Sequence, residues 1–133
     1  MQTLTVNEIA KELAGIRSLI LVDRVYGVVH SAYLRDTFIP WFKDWCIASG
    51  LSYESEGRDC DKFARAFAGQ AHFAAWRRRS RPACAVGWMA VTDQGGHALN
   101  LARTEQGWIE IEPQTGVVQP FRTDRRSIIY AVL

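Results

Sequence analysis

The spacing of apolar residues predicts an α+β fold in which N-terminal helices precede a C-terminal antiparallel sheet. Three observations carry this expectation. Ahead of residue 77, apolar residues recur at helical spacing, most clearly at positions 60, 63, 64, 67, 68 and 71, the period of one helix face. From residue 83 onward the pattern changes to apolar runs of strand length, separated by Asp-Gln-Gly-Gly, Glu-Gln-Gly and Pro-Gln-Thr-Gly, all turn-forming combinations. The two kinds of element come in blocks and do not alternate, as in α+β proteins. With 133 residues, 48% of them hydrophobic, the chain is long enough to bury a core as one domain over residues 1–133.

Each element has a local reason. Thr5 is placed to cap a helix over residues 6–14, with Glu8 in the first turn and Gly15 near its end. Residues 18–22 are a short apolar run, either a strand or a buried connector, and residues 23–30 run extended. A second helix over 31–49 closes at Gly50; Pro40 suits a first turn, so its start is either Ser31 or near Phe38. Its stripe of Phe38, Trp41, Phe42, Trp45 and Cys46 is expected in the core. A loop over 51–58 leads to a third helix, capped by Asp59, that runs to about Trp76. Strands follow over 83–92, 97–103, 108–112, 117–121 and 127–133, with Glu105-Gln106-Gly107 as a three-residue hairpin loop.

Composition excludes several classes of function. Sixteen basic and fourteen acidic residues give a net charge of +2, so nucleic-acid binding is not expected. The one dense charge run, Arg77-Arg78-Arg79-Ser80-Arg81, reads as a solvated helix end, where cations are favoured. No stretch approaches the ~20 apolar residues of a membrane span, and no signal-peptide pattern opens the chain. Three cysteines without metal-ligand spacing point to a reducing, cytoplasmic setting, with no metal or cofactor.

The residues with chemical potential are few. Cys60, at the start of its helix, feels the positive end of the helix dipole, which favours thiolate. A nucleophilic thiol needs a base and a group that orients the base. His97 opens a strand directly after Gly95-Gly96, and Glu112 and Gln114 lie across a hairpin from it. If Thr104 pairs with Trp108, Asn100 faces Glu112 and Gln114 comes nearer to His97. Glu112 is the better chemical partner, because a carboxylate stabilises an imidazolium. His30 and His72 read as structural.

Asp59-Cys60-Asp61-Lys62-Phe63-Ala64, Gly95-Gly96-His97-Ala98-Leu99-Asn100-Leu101 and Ile111-Glu112-Pro113-Gln114-Thr115-Gly116 together resemble the nucleophile helix and the histidine and acid strands of papain-like and transglutaminase-like cysteine peptidases. Within that superfamily the chain looks like the papain-like C-terminal domain of a fungal agglutinin and its phage and bacterial relatives, which also carry an early Asp-Arg-x-Tyr, here Asp23 to Tyr26. The resemblance implies a papain/transglutaminase-like fold with Cys60 as nucleophile, His97 as base and Glu112 as orienting acid, supported by Gln114, Asp59 and Asn100. It further implies a small cysteine hydrolase, a peptidase or amidase, acting on a peptide or protein substrate through a thioester. The alternative it implies is a non-catalytic phage or mobile-element protein of the same fold that binds a host protein. Lys62 and the basic insert at 77–82 depart from the pattern. Calcium dependence, which the agglutinin domain implies, is not carried over, because no acidic loop of calcium-binding spacing is present.

Overall fold

The computed structural model describes residues 2–52, 59–78, 83–92 and 96–133. Strand β1 (Thr3–Thr5) runs into helix α1 (Val6–Glu12), which Thr5 and Glu8 start with a capping box. Two short strands follow, β2 (Leu19–Ile20) and β3 (Val25–Gly27). Helices α2 (Ser31–Tyr33) and α3 (Ile39–Ala48) are joined by a π-helical turn over Leu34–Phe38. Helix α4 (Asp59–Arg77) then leads to β4 (Ala83–Cys84), β5 (Val86–Val91), β6 (His97–Thr104), β7 (Gly107–Glu112), β8 (Val117–Pro120) and β9 (Ile128–Val132).

The strands form two sheets, one ordered β1-β3-β4 and one ordered β2-β9-β5-β6-β7-β8. In the larger sheet β5 to β8 form the expected antiparallel meander, but β2 joins β9 in parallel. In the smaller sheet β3 and β4 are also parallel. The helices-first arrangement is therefore corrected: strands from the first 27 residues complete both sheets. They are two or three residues long, too short to display a period of their own, and long-range pairing alone makes them strands. The undecided run at 18–22 belongs to the larger sheet through Leu19 and Ile20.

Two apolar layers sandwich that sheet. On one face Ile9 of α1 and Leu13 at its C-cap pack with Tyr26, Met89, Leu101 and Ile128. On the other Phe38 and Phe42 pack with Phe63 and Phe67 of α4 over Val86, Ala102 and Ile111. Tyr26, the last residue of the Asp-Arg-x-Tyr segment, lies fully buried. Its hydroxyl accepts from the Asp23 amide at 2.9 Å and donates to the Leu133 carbonyl at 3.0 Å, tying the chain's last residue to β3.

Helix formation begins at Ser31, and Pro40 does not break it. Proline lacks an amide hydrogen and its ring crowds the carbonyl four residues back. The π turn widens the helix just before it, with the Ile39 amide bonding five residues back to Leu34. At the other end Leu51 N–H reaches the Cys46 carbonyl at 2.9 Å and Gly50 N–H the Ile47 carbonyl at 3.2 Å, a Schellman close. The hairpin loop is shorter than expected. Thr104 pairs with Gly107 and not with Trp108, so the loop is Glu105-Gln106, and Gly107 takes its positive φ of 113° as the first strand residue. The Thr104 hydroxyl accepts from the Gln106 amide and donates to the Gly107 carbonyl, which fixes the tighter turn.

Candidate functional site

Helix α4 has two ends of different chemistry. At its start, Cys60 lies half-buried in the first turn; the side chain of Asp59, its expected cap, is outside the described residues. Cys46 and Cys84 are less accessible chemically. Burial pushes the Cys46 thiol up, and raises the Cys84 thiol to about 12, where almost no thiolate forms at neutral pH.

His97 opens β6 and Glu112 closes the neighbouring β7. Their ladder runs from Thr104–Gly107 to Asn100–Ile111 and then stops, just ahead of Pro113, which has no amide hydrogen to continue it. Past the last rung Glu112 Oε2 meets His97 Nε2 at 2.6 Å, while its Oε1 accepts the Gln114 backbone amide at 3.2 Å. The carboxylate is thus held on both oxygens. Gln114 takes part through its backbone; the amide side chain is not the histidine's partner. Both His97 and Glu112 are about one-quarter exposed, at 25% and 24%.

The turn behind Glu112 is equally fixed. Gly116 N–H returns to the Glu112 carbonyl at 2.7 Å. Gly116 has φ +79°, and a Cβ there would stand 2.8 Å from Cγ2 of Ile39. Only glycine lets α3 close onto this turn.

Asn100 links β6 to helix α4. It faces Ile111 instead of Glu112, and its fully buried Nδ2 donates to the Ala64 carbonyl at 2.7 Å and the Gly87 carbonyl at 3.0 Å. Its Oδ1 is buried with no hydrogen-bond partner among the described residues. His72 also ties α4 to the sheet, its Nε2 lying 2.7 Å from the Val86 carbonyl. The expected turn at residues 93–95 lies outside the described residues.

At the other end of α4 a groove of about 950 Å³ opens between α3 and α4. Trp41 is 44% exposed and Phe73 52% exposed, and Trp45, Thr37, Gln70 and Arg77 are among the other residues that line it. The Trp41 and Trp45 rings stack with centroids 6.4 Å apart, and the Arg77 guanidinium lies 6.0 Å from the Phe73 ring. The aromatic stripe expected in the core is therefore divided: Phe38 and Phe42 are buried, but Trp41 faces solvent. Residue spacing held the clue. Phe38, Phe42 and Cys46 lie four apart on one row, with Trp41 and Trp45 on the adjacent row. Of the basic run, Arg77 and Arg78 stand at the groove, while residues 79–82 are outside the described residues. Among the described residues no cluster of side chains is suited to a metal ion, and no helix is long and apolar enough to cross a membrane.

No protein-family model matches the chain, and no curated protein does. Solved structures do. A complex of PSL1a with E64 superposes with a TM-score of 0.69 at 23% identity, over 98% of this chain and 50% of that one. Polyporus squamosus lectin bound to the human-type influenza-binding epitope Neu5Aca2-6Galb1-4GlcNAc gives 0.66 at 24% identity, over 98% and 49%. The chain spans about half the length of these neighbours, and the likeness is one of fold.

These neighbours correct the resemblance drawn from residues 59–64, 95–101 and 111–116. The fold that matches is the one shared with PSL1a and Polyporus squamosus lectin, in place of the expected papain-like or transglutaminase-like peptidase. The expectations that followed it, a cysteine hydrolase, a peptide or protein substrate, and a phage protein binding a host protein, give way with it. The physical reason is that the three matching segments are short. An acidic cap, an inward cysteine and apolar residues at three and four specify how one helix starts and which face it buries; chemistry belongs to the site built on a fold.

Proposed function

We propose that this chain binds carbohydrate in the groove between α3 and α4. The observation that carries the reading is the aromatic wall there: Trp41 and Phe73 exposed on two helices, with Trp45 behind and Thr37, Gln70 and Arg77 at the rim. Sugar rings offer C–H faces to aromatic rings and hydroxyls to polar side chains, so a concave site with few polar groups on an apolar wall suits them. Exposed aromatic surface of this extent marks an interaction site. An arginine at the rim suits an acidic sugar, since guanidinium matches a carboxylate with two parallel hydrogen bonds. The fold likeness to a lectin supports the ligand class. Titration with Neu5Aca2-6Galb1-4GlcNAc and with neutral galactosides, followed by tryptophan fluorescence, tests it. Saturable quenching that Trp41→Ala removes and Trp88→Ala retains is expected; the absence of saturable binding by any glycan up to millimolar concentration overturns it.

A second reading rests on the 2.6 Å contact between His97 and Glu112. We propose that Cys60 is a nucleophilic thiol, with His97 as the base that takes its proton and Glu112 as the acid that orients the imidazole. With Nε2 engaged by the carboxylate, Nδ1 is the nitrogen that exchanges the proton. Gln114 and Asn100 act as positioning residues, one through its amide on Glu112 and the other by fixing α4 on β6, and Asp59 as the cap of α4. Mass spectrometry after brief iodoacetamide treatment tests the assignment. Labelling at Cys60 that slows in Glu112→Gln supports it, and equal rates in the two proteins refute it.

A further inference from the structure

Behind the groove lies a second, smaller cavity of about 250 Å³, walled by Val29, Leu34, Phe38, Ala71, Ala75 and Val86. Folded interiors are close-packed, with few voids larger than a water molecule. An apolar cavity of ~150 Å³ already holds benzene, so this one has room for a longer hydrocarbon group. Its lining is apolar except for the Cys84 thiol and the groups at its mouth. Desolvation pushes that thiol up, as expected where little water enters.

The mouth carries one cation. Arg78 stands with its guanidinium carbon 4.1 Å from the Tyr33 ring centroid, and its Nε donates to the Ala74 carbonyl at 3.4 Å. Among the described residues its Nη atoms have no hydrogen-bond partner and no carboxylate pairs with it. His30, exposed, shares the same mouth. The cation is thus oriented by an aromatic face and a helix carbonyl, with donors left over, at the opening of an apolar cavity.

We infer that this cavity binds a small amphipathic carboxylate, its hydrocarbon part among Ala71, Ala75 and Val86 and its carboxylate on Arg78. A planar carboxylate accepts two parallel N–H bonds from a guanidinium, which the single oxygen of an alcohol cannot. The inference rests on the apolar cavity and not on the exposed Trp41 and Phe73 wall, although Arg78 borders both the cavity and the groove.

The test uses the full chain with octanoate, octanol and acetate as probes, read by the alanine methyl signals of Ala71 and Ala75 in NMR. Octanoate should shift both signals saturably and acetate should shift neither. Arg78→Gln, a surface change, should weaken octanoate roughly tenfold or more, the effect of losing a hydrogen bond to a charged group, and leave octanol unchanged. Ala75→Leu, which fills the cavity, should abolish octanoate binding while circular dichroism stays native; Ala71→Val is the milder replacement should Ala75→Leu fail to fold. The inference falls if octanoate leaves both methyl signals unmoved, if Arg78→Gln weakens octanol as much as octanoate, or if the cavity-filling variants bind octanoate normally.

Discussion

Helix α4 offers two surfaces roughly 26 Å apart along its axis, at 1.5 Å per residue from Cys60 to Arg77. At its N-terminal end the polar groups are fixed by hydrogen bonds. Glu112 is held on both oxygens, Asn100 clamps α4 to β6, and Gly116 locks the turn behind. At its C-terminal end the side chains are large, exposed and held mainly by ring contacts, as with Trp41 on Trp45 and Phe73 on Trp76. The first end is organised for geometry, where small displacements matter. The second is organised for contact area, where a ligand can settle on a broad face. One helix thus serves a preorganised polar cluster and an adaptable aromatic one.

The largest expected effect concerns the thiols. With Cys84 raised to about 12, its thiolate fraction at pH 8 is roughly 10⁻⁴, about a thousandfold below that of an ordinary cysteine. Alkylation at pH 8 should therefore modify Cys60 well before Cys84. Comparable rates, measured by peptide mapping, would break the contrast drawn between the two ends.

Next comes the clamp. Asn100→Ala removes two buried hydrogen bonds, to the Ala64 and Gly87 carbonyls, which should cost about 2–3 kcal/mol. Urea unfolding measures that loss. Thiol alkylation in the folded variant should also slow, whereas glycan titration at the far groove should be unaffected; a change at the groove alone would mean the two ends are coupled.

Trp41→Ala should lower glycan affinity about tenfold, as loss of an aromatic anchor does, without changing Cys60 alkylation. Fluorescence titration and alkylation kinetics on the same sample separate the two surfaces.

The smallest effect lies on the opposite face of the sheet. Glu12 accepts from Arg103 Nε at 2.9 Å and from Trp108 Nε1 at 2.6 Å. The Arg103 hydrogen bond comes first among the causes that hold its carboxyl below the usual carboxylate range. A depressed folded value means the stabilisation is fully present above the unfolded pKa, ~4.3, and disappears as pH falls through the lower folded one. Glu12→Gln should cost about 1 kcal/mol at pH 7, a difference that vanishes in acid and leaves both ends of α4 unchanged. Thermal unfolding across pH 2–7 reads it.

Local signals in the sequence were sufficient for the elements that carry their own start and stop. The Thr5–Glu8 box, the Gly50 close and the 60–71 apolar stripe need no distant partner, so α1, the end of α3 and the face of α4 were legible. So was the meander of β5 to β8, in which β6 to β7 and β7 to β8 are joined by short turns. The pairing of His97 with Glu112 was legible as chemistry but not as register, because the shorter Glu105-Gln106 loop moves every partner by one residue. What tertiary structure alone decided was long-range or rotational. Strands β1 to β3 exist through partners far along the chain, and Trp41 is turned outward because Phe38 and Phe42 claim the row that meets Phe67. The cavity behind Arg78 depends on three separated segments meeting. The resemblance read from three short segments misjudged the fold for the same reason: a short motif is set by its nearest neighbours, while topology is set by which distant surfaces must be buried together.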